Sequence, residues 1–325
     1  MSTPRILVIG EALMDIVTEP DGAETEHVGG SPANVAMGLA RLGHPVRLAT
    51  TLGPDARGER IRAHLRQHGV RPTKRSSTAD ATSTARVTFD KKRNAAYEFD
   101  IRWDLAPVRV GRRVGHLHVG SLATALEPGA SRARAAIAEH RDRVTVSYDP
   151  NIRPGIMGEL SRIRPGVEDL VALSDVVKAS SDDVGLLYPD LDLPEVIEHW
   201  LSLGAPLVVL TRGADGVVYR TRDGELVTRP TLATRVVDTV GAGDSFMAGL
   251  LSGLLGLGLI GSVAARGALR SASSEAVLPA VDRALATSAV TVEHAGAYAP
   301  EPAELWPHRP ALATPQTHLR EDRHG

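Results

Sequence analysis

Short runs rich in Val and Ile alternate with longer stretches whose apolar positions recur at helical spacing, and this alternation continues along most of the chain. The short runs predict strands at Arg5–Ile9, Val46–Thr50, His116–Val119, Val144–Tyr148, Asp175–Lys178 and Leu207–Thr211. Between them Pro32–Leu42, Asp55–His68, Pro128–His140, Asp182–Leu187 and Pro194–Leu203 read as helices. Strands that are apolar on both faces and separated by helices belong to a mostly parallel sheet covered on both sides, an α/β architecture. Ser31-Pro32 opens the first helix well, because Ser can cap exposed amides and Pro suits the first turn.

Two stretches break the rhythm. Asp15–Val28 and Thr84–Trp103 have strand character, and in the second Arg86–Phe89 and Ala95–Phe99 flank the polar run Asp90–Asn94. They read as hairpin segments that leave the main sheet early, either as solvent-facing hairpins or as a small β lid over one edge of the large domain. A lid matters where water has to be kept from a reaction. After residue 299, Pro300, Pro302, Pro307, Pro310 and Pro315 oppose regular structure, so 300–325 is expected to be a loosely packed tail behind a domain of residues 1–299.

One apolar stretch needs a decision. Ser245–Ala265 carries no charge and is long enough to span a membrane by count. Gly249, Gly253, Gly256, Gly258 and Gly261 lower both its hydrophobicity and its helix propensity, and Gly256-Leu-Gly258 reads as a break between two helices. A buried helix pair is therefore expected, with no membrane partner. The apolar run near the amino terminus, Ile6–Ile9, is shorter than the core of a secretory signal, so the expected location is the cytoplasm.

Composition narrows the chemistry. The 325 residues include 37 Lys and Arg against 39 Asp and Glu, a formal charge of −2, and only three Trp, five Tyr and three Phe. A near-neutral chain with few stacking platforms is not built primarily for nucleic acid. With no cysteine there is no disulfide framework, thiolate nucleophile or Cys-ligated zinc. None of the four lysines follows a glycine, so there is no P-loop, and a nucleotide site must be built another way.

The richest segment for chemistry is Asp238-Thr-Val-Gly241-Ala242-Gly243-Asp244, directly before the apolar helix. Gly241 and Gly243 let successive amides converge at the positive end of that helix, a nest for an anion. A carboxylate beside such a nest disfavours simple phosphate binding, but suits a group that takes a proton from a hydroxyl attacking the phosphate. On this segment alone a glycine-rich turn with Asp244 as a helix-entry residue fits as well. Asp15, at the end of Gly10-Glu11-Ala-Leu-Met-Asp15, and Asn34, in Gly29-Gly30-Ser-Pro-Ala-Asn34, are residue types that grip polyol hydroxyls, or else a turn residue and a helix-surface residue. Arg153, after a core strand, could meet a phosphate or a substrate carboxylate at the site rim, or pair with a structural acid.

These residues carry a resemblance. Gly29–Ala36 through Ala40–Gly43 is similar to the first signature of the ribokinase (PfkB) family of sugar kinases, and Asp238–Gly249 to the second. Asp149–Pro154, Val176–Lys178 and Thr211–Gly216 follow in family order, so the resemblance covers residues 5–299, and it is most similar to bacterial fructokinases. It implies a ribokinase-like three-layer α/β/α domain with a small β lid, using ATP and Mg²⁺, with K⁺ as a further ion. By the same resemblance Asp244 is the catalytic base, and the amides of Gly241, Ala242 and Gly243 stabilise the transferring phosphoryl group. Asp15, Gly30 and Asn34 would hold sugar hydroxyls. Thr211, Gly213 and Gly216 would border the nucleotide phosphates and ribose, and the loop Val292–Gly296 the adenine. Asp238 would help bind the monovalent cation. The family's Asn-x-x-Glu segment, which organises water around Mg²⁺, is replaced by Ser180 and Asp183, a carboxylate one methylene shorter.

The expected activity is ATP-dependent phosphorylation of a sugar, with fructose to fructose 6-phosphate as the leading reading. Phosphorylation of 2-keto-3-deoxygluconate is the alternative that Arg153 favours. A catalytically silent sugar-binding regulator would keep the fold but has no need of Asp244 and its glycines. A dinucleotide-binding oxidoreductase fails because Gly241-Ala-Gly243 lacks the third glycine and lies late in the chain. The β lid is the surface through which a homodimer would form.

Overall fold

The computed structural model describes residues 4–90 and 95–308. Within them the six predicted strands form the parallel heart of a nine-stranded sheet, running spatially Leu207–Thr211, Val176–Ser180, Thr145–Asp149, Val114–Gly120, Arg5–Ile9, Val46–Ala49. Arg71–Pro72 extends one edge in parallel. At the other edge Val217–Thr221 and Val227–Arg229 add an antiparallel hairpin. The five predicted helices are present to within a residue or two, beginning with Ser31–Arg41 and Ala56–Gln67.

Because side chains alternate across a strand, the sheet has two distinct cores. Ile6, Val8, Val176 and Val209 face one layer, with helices Ser31–Arg41, Ala242–Gly256 and Ser274–Val292. Leu7, Ile9, Val146 and Val208 face the other, with helices Gly129–His140, Leu160–Leu173 and Leu193–Leu203. Two of these helices, Leu160–Leu173 and Ser274–Val292, lie outside the pattern read from the sequence, and each contains a proline, Pro165 and Pro279. In each the proline follows the first turn and removes one backbone bond without ending the helix.

The uncharged stretch is a buried helix followed by a short one. Ala242–Gly256 ends where the glycine break was expected, and Val263–Arg270 follows. Its glycines are there for contact. A Cβ on Gly249 would lie 2.8 Å from Ala284 Cα, and one on Gly253 would lie 2.5 Å from Ala280 Cα. The helix is thus pressed against Ser274–Val292 more closely than any side chain allows, and a larger residue at either position would overpack the contact. No described helix is long and apolar enough to cross a membrane.

The two irregular stretches combine as expected into a separate four-stranded sheet, ordered Glu24–Gly29, Leu13–Thr18, Thr84–Phe89, Ala95–Asp100. Two antiparallel hairpins are joined through a parallel pair between Leu13–Thr18 and Thr84–Phe89. The connection at 91–94 lies outside the described residues. The sheet ends at Asp100, before the expected boundary at Trp103, which is buried in the large core with its indole N–H donating to the Ala123 carbonyl at 3.2 Å. At the other end of the chain the packed region runs past residue 299. Pro302–His308 is a 3-10 helix, Leu305 is buried, and Arg41 pairs with Glu301 at 2.8 Å. Residues 309–325 of the expected tail lie outside the described residues.

Candidate active site

The predicted residues gather past the carboxyl ends of the central strands, where open α/β sheets place their ligands. Asp149, Ser180 and Thr211 end three neighbouring strands. Gly241 is the N-cap of helix Ala242–Gly256 in a left-handed conformation, φ 74°, which glycine adopts freely. The turn it makes leaves Ala242, Gly243 and Asp244 as the first helical positions, whose amides lack helical acceptors; that of Ala242 donates to the Thr239 carbonyl at 3.2 Å, and Asp244 sits in the first turn.

Asp244 is bonded across the molecule. Ser31 Oγ donates to Asp244 Oδ1 at 2.6 Å and Asn34 Nδ2 donates to Oδ2 at 2.8 Å. Both donors come from the first turns of Ser31–Arg41, whose N-cap is Gly30. Ser31 therefore does not cap the helix as its sequence position suggested; its hydroxyl is spent on the carboxylate. Gly30 holds φ 106°, and a Cβ there would lie 2.6 Å from the Glu11 carbonyl oxygen. Its own carbonyl accepts from Asn34 N at 3.0 Å. Asn34 Oδ1 is buried with no partner, a free acceptor beside the carboxylate.

Burial pushes the Asp244 carboxyl above its ordinary pKa, against the lowering effect of the Ser31 and Asn34 bonds and of the Lys178 and Arg153 charges. Lys178 is a site residue to which sequence reasoning gave no role. Its ammonium donates to Asp149 Oδ2 at 2.9 Å, both residues being buried, and a Cβ on Gly243 would lie 3.0 Å from Nζ. A cation is thus set directly beneath the expected anion nest. Burial works against that charge, but the carboxylates of Asp149, Asp183 and Asp244 more than offset it and hold the Lys178 pKa above its usual value. Asp149 Oδ1 is buried and unpartnered.

Two further acids border the lid. Asp15 lies on strand Leu13–Thr18, across from His27, and a Cβ on Gly29 would land on its carboxylate. Burial raises its pKa to about 6, against the His27 charge. Glu11, unassigned from sequence, is fully enclosed; burial raises its pKa to about 7 although Ser121 and the Ala123 amide bond to it.

Arg153 stands at the rim. Its guanidinium donates to the Ile152 carbonyl at 2.8 Å, and among the described residues it has no acidic partner within ion-pair distance. Phe99 of the lid sheet approaches Gly155, two residues on.

Ser180 and Asp183 are not free in the way the sequence suggested. They form a capping box on Ser181–Leu187, with Asp183 Oδ2 accepting from Ser180 N and Oγ, while Asp183 Oδ1 accepts from Ile152 N at 2.7 Å. Oδ2 is thereby saturated, and Oδ1 retains a lone pair for water. Thr211 Oγ1 donates to the Ala179 carbonyl at 3.3 Å, Gly213 opens the 3-10 turn Gly213–Asp215, and Gly216 closes it against the backbone of Arg229. Asp238 is half-buried and joins two loops, accepting from Val240 N at 3.0 Å and from Gly296 N at 2.8 Å, and these amides hold its pKa below the usual range. The expected adenine loop is thereby tied to the expected cation residue.

A nest, a buried cation and a hydroxyl-bonded carboxylate in one crevice are the parts of a phosphoryl-transfer site. The family model for pfkB carbohydrate kinases matches residues 3–304. The chain belongs to the pfkB family of carbohydrate kinases. This kinase is 33% identical to a fructokinase of Klebsiella pneumoniae over 273 residues, 80% of this chain and 88% of the relative. It is 29% identical to a 2-dehydro-3-deoxygluconokinase of Bacillus subtilis over 70% of this chain and 74% of that one. Its fold superposes with a TM-score of 0.81 on a double-mutant fructokinase of Vibrio cholerae O395 in its fructose, ADP and potassium bound form, at 27% identity, covering 95% of this chain and 99% of the other. The ribokinase-like three-layer fold expected from the sequence is the fold observed.

Proposed function

We propose that this sugar kinase transfers the γ-phosphoryl group of ATP to a fructose hydroxyl, giving fructose 6-phosphate. The observation that carries the reading is Asp244: a half-buried, desolvated carboxylate at the positive end of a helix, held by Ser31 and Asn34, with the Lys178 ammonium under the adjoining backbone. In the reaction Asp244 takes the hydroxyl proton as the sugar oxygen attacks the γ-phosphorus and the bond to the β-phosphate oxygen breaks. The amides of Gly241, Ala242 and Gly243, with Lys178, receive the charge that develops on the transferring group. Asn34 Oδ1, the Gly30 amide and Asp15 are disposed to meet sugar hydroxyls under the lid sheet. Thr211, Gly213 and Gly216 would line the nucleotide phosphates, and the loop tied by Asp238 the base.

The residues fit a divalent ion of the Mg²⁺ type. Asp149 Oδ1 is an unpartnered buried oxygen, Asp183 retains acceptor capacity through water, and no cluster of three His, Asp or Glu capable of holding a metal occurs among the described residues. Hard cations of this kind keep several waters and bind through one or two carboxylates and the substrate phosphates, where they neutralise phosphate charge. Asp238, with carboxylate oxygens turned to two loops, would help hold K⁺.

Arg153 supports a second reading. An exposed guanidinium without an acidic partner could take the carboxylate of 2-keto-3-deoxygluconate, and one relative carries that activity in its name. One panel separates the readings: ADP release with ATP, Mg²⁺ and fructose, ribose or 2-keto-3-deoxygluconate, for the wild type and Arg153→Gln. Fructose is expected to give the highest kcat/KM, with Arg153→Gln changing no sugar selectively. A sugar acid used far better than fructose, with that advantage erased in Arg153→Gln, would overturn the fructose assignment. The lid sheet is the surface proposed for homodimer formation, and sedimentation of the full chain tests it.

A further inference from the structure

A cluster of cationic side chains lies away from this site. A cavity of about 540 Å³ opens on the sheet face shared by Leu7 and Ala49, under the irregular segment that runs from Leu105 to Val114. Seven of its lining residues are Lys or Arg and none is Asp or Glu. A second concavity, lined by Arg62, Arg66, Arg71 and Lys74, adjoins it through Thr73 and Lys74 and again has no acidic residue.

The arrangement follows from register. Leu7 pairs with Arg47, and Arg47 with Arg71, in consecutive parallel strands, so all three side chains lie on one face. Arg5, two residues before Leu7, shares that face. Where the rest of this face is covered by helices, here it carries cations. Arg47 beside Arg71 is a like-charge cross-strand pair, which costs stability unless something neutralises it. No hydrogen bond or ion pair to the side chains of Arg5, Arg47, Arg75 or Arg112 is found among the described residues, although acids outnumber bases in the chain as a whole. The floor is different in character: Leu7, Leu105, Pro107 and Val108 are apolar.

We propose that this cavity is a second ligand site, which binds a small organic phosphate carrying two or more negative charges. The cationic rim would hold the phosphates, with arginines offering bidentate bonds, and the apolar floor would take the uncharged part of the molecule. The volume is that of a small-molecule site. A polynucleotide fits less well, because the lining has no aromatic residue on which bases could stack. Nucleotides and phosphorylated sugars share the required chemistry. The site is independent of the fructose reading, since none of its lining residues belongs to the candidate active site.

Titration calorimetry on the full chain tests it, with ADP, fructose 1,6-bisphosphate, inorganic pyrophosphate and a short single-stranded oligonucleotide as separate probes. The comparison is between the wild type and the charge-reversed variant Arg47→Glu/Arg112→Glu, with the milder Arg47→Gln/Arg112→Gln as a second variant in case the first does not fold. The expected result is a site for ADP or for the bisphosphate, in addition to any at the active site, weakened about tenfold or more in the variants and by added salt. Pyrophosphate should bind there more weakly, since it leaves the apolar floor uncovered. Turnover of the sugar at saturating substrates should be unchanged in the variants. Identical binding of every organic phosphate to wild type and variants would overturn the proposal. So would loss of oligonucleotide binding alone.

Discussion

Asp238 and Asp244 stand on the same loop, one entering it and the other leaving it for the helix, yet their surroundings push them in opposite directions. Asp238 is half-buried, and the amides of Val240 and Gly296 stabilise its charged form. Asp244 is also half-buried, but the protein packed around its carboxyl desolvates it and disfavours its charge despite two side-chain donors and the nearby Lys178 and Arg153. An acid held strongly ionised is a poor proton acceptor, whereas one raised toward neutrality is a better one. Side-chain type does not separate the two roles; the packing around the carboxyl and the kind of donor do.

The comparison breaks first at Asp244. Asp244→Asn keeps size and a hydrogen-bonding group but cannot accept the proton, so kcat is expected to fall by ~10²–10⁴, with sugar affinity retained. Steady-state rates beside calorimetric sugar binding check this. Lys178→Met is next: removal of a charge that meets the transferring group should lower kcat by ~10²–10³ and leave fructose affinity nearly unchanged. Circular dichroism on the same sample confirms that the loss is not unfolding, since Asp149 is left buried without its partner.

Glu11 sharpens the lesson on desolvation, because it is raised by the same cause as Asp244 but is buried and takes no part in the proposed transfer. Its pKa rises from 4.5 to about 7 on folding. Below pH 4.5 both folded and unfolded chains hold the proton, so its contribution is fully present. Between pH 4.5 and 7 the unfolded chain ionises more readily, and stability is lost as pH rises through the folded value. Glu11→Gln should therefore stabilise the protein at pH 8 by up to ~3 kcal/mol, with the gain vanishing near pH 4 in denaturant titrations. The smallest effect belongs to the amide-bonded acid. Asp238→Ala should raise KM for ATP a few-fold by untying the Gly296 loop, with kcat within about twofold of the wild type at saturating ATP and K⁺.

Much of the fold was legible because the parallel strands are apolar on both faces and three of the helices between them, Ala56–Gln67, Ser181–Leu187 and Leu193–Leu203, carry side-chain caps. The hairpin Val217–Thr221 with Val227–Arg229 was missed although Asp223-Gly224 marks a turn between two β-prone runs. Leu160–Leu173 and Ser274–Val292 were missed because an internal proline argues locally against a helix that packing retains. At the site, the glycines around Asp244 announced an anion nest. The partners did not announce themselves. Ser31 lies 213 residues from Asp244, and Lys178 lies 29 from Asp149, so their contacts depend on strand order, which no local pattern encodes. Ser180 and Asp183 show the reverse case, where the spacing of a metal-organising segment is also that of a capping box.

The measurement that reaches the central claim most directly is the pH dependence of kcat in the wild type and in Asp244→Asn. Burial raises the Asp244 pKa, so the wild type should show a limb in which kcat rises with pH as the carboxyl loses its proton, centred above the ordinary carboxylate value. The residual rate of Asp244→Asn should lack that limb. If the variant keeps the same limb, another group accepts the proton and the assignment of Asp244 as the base is wrong.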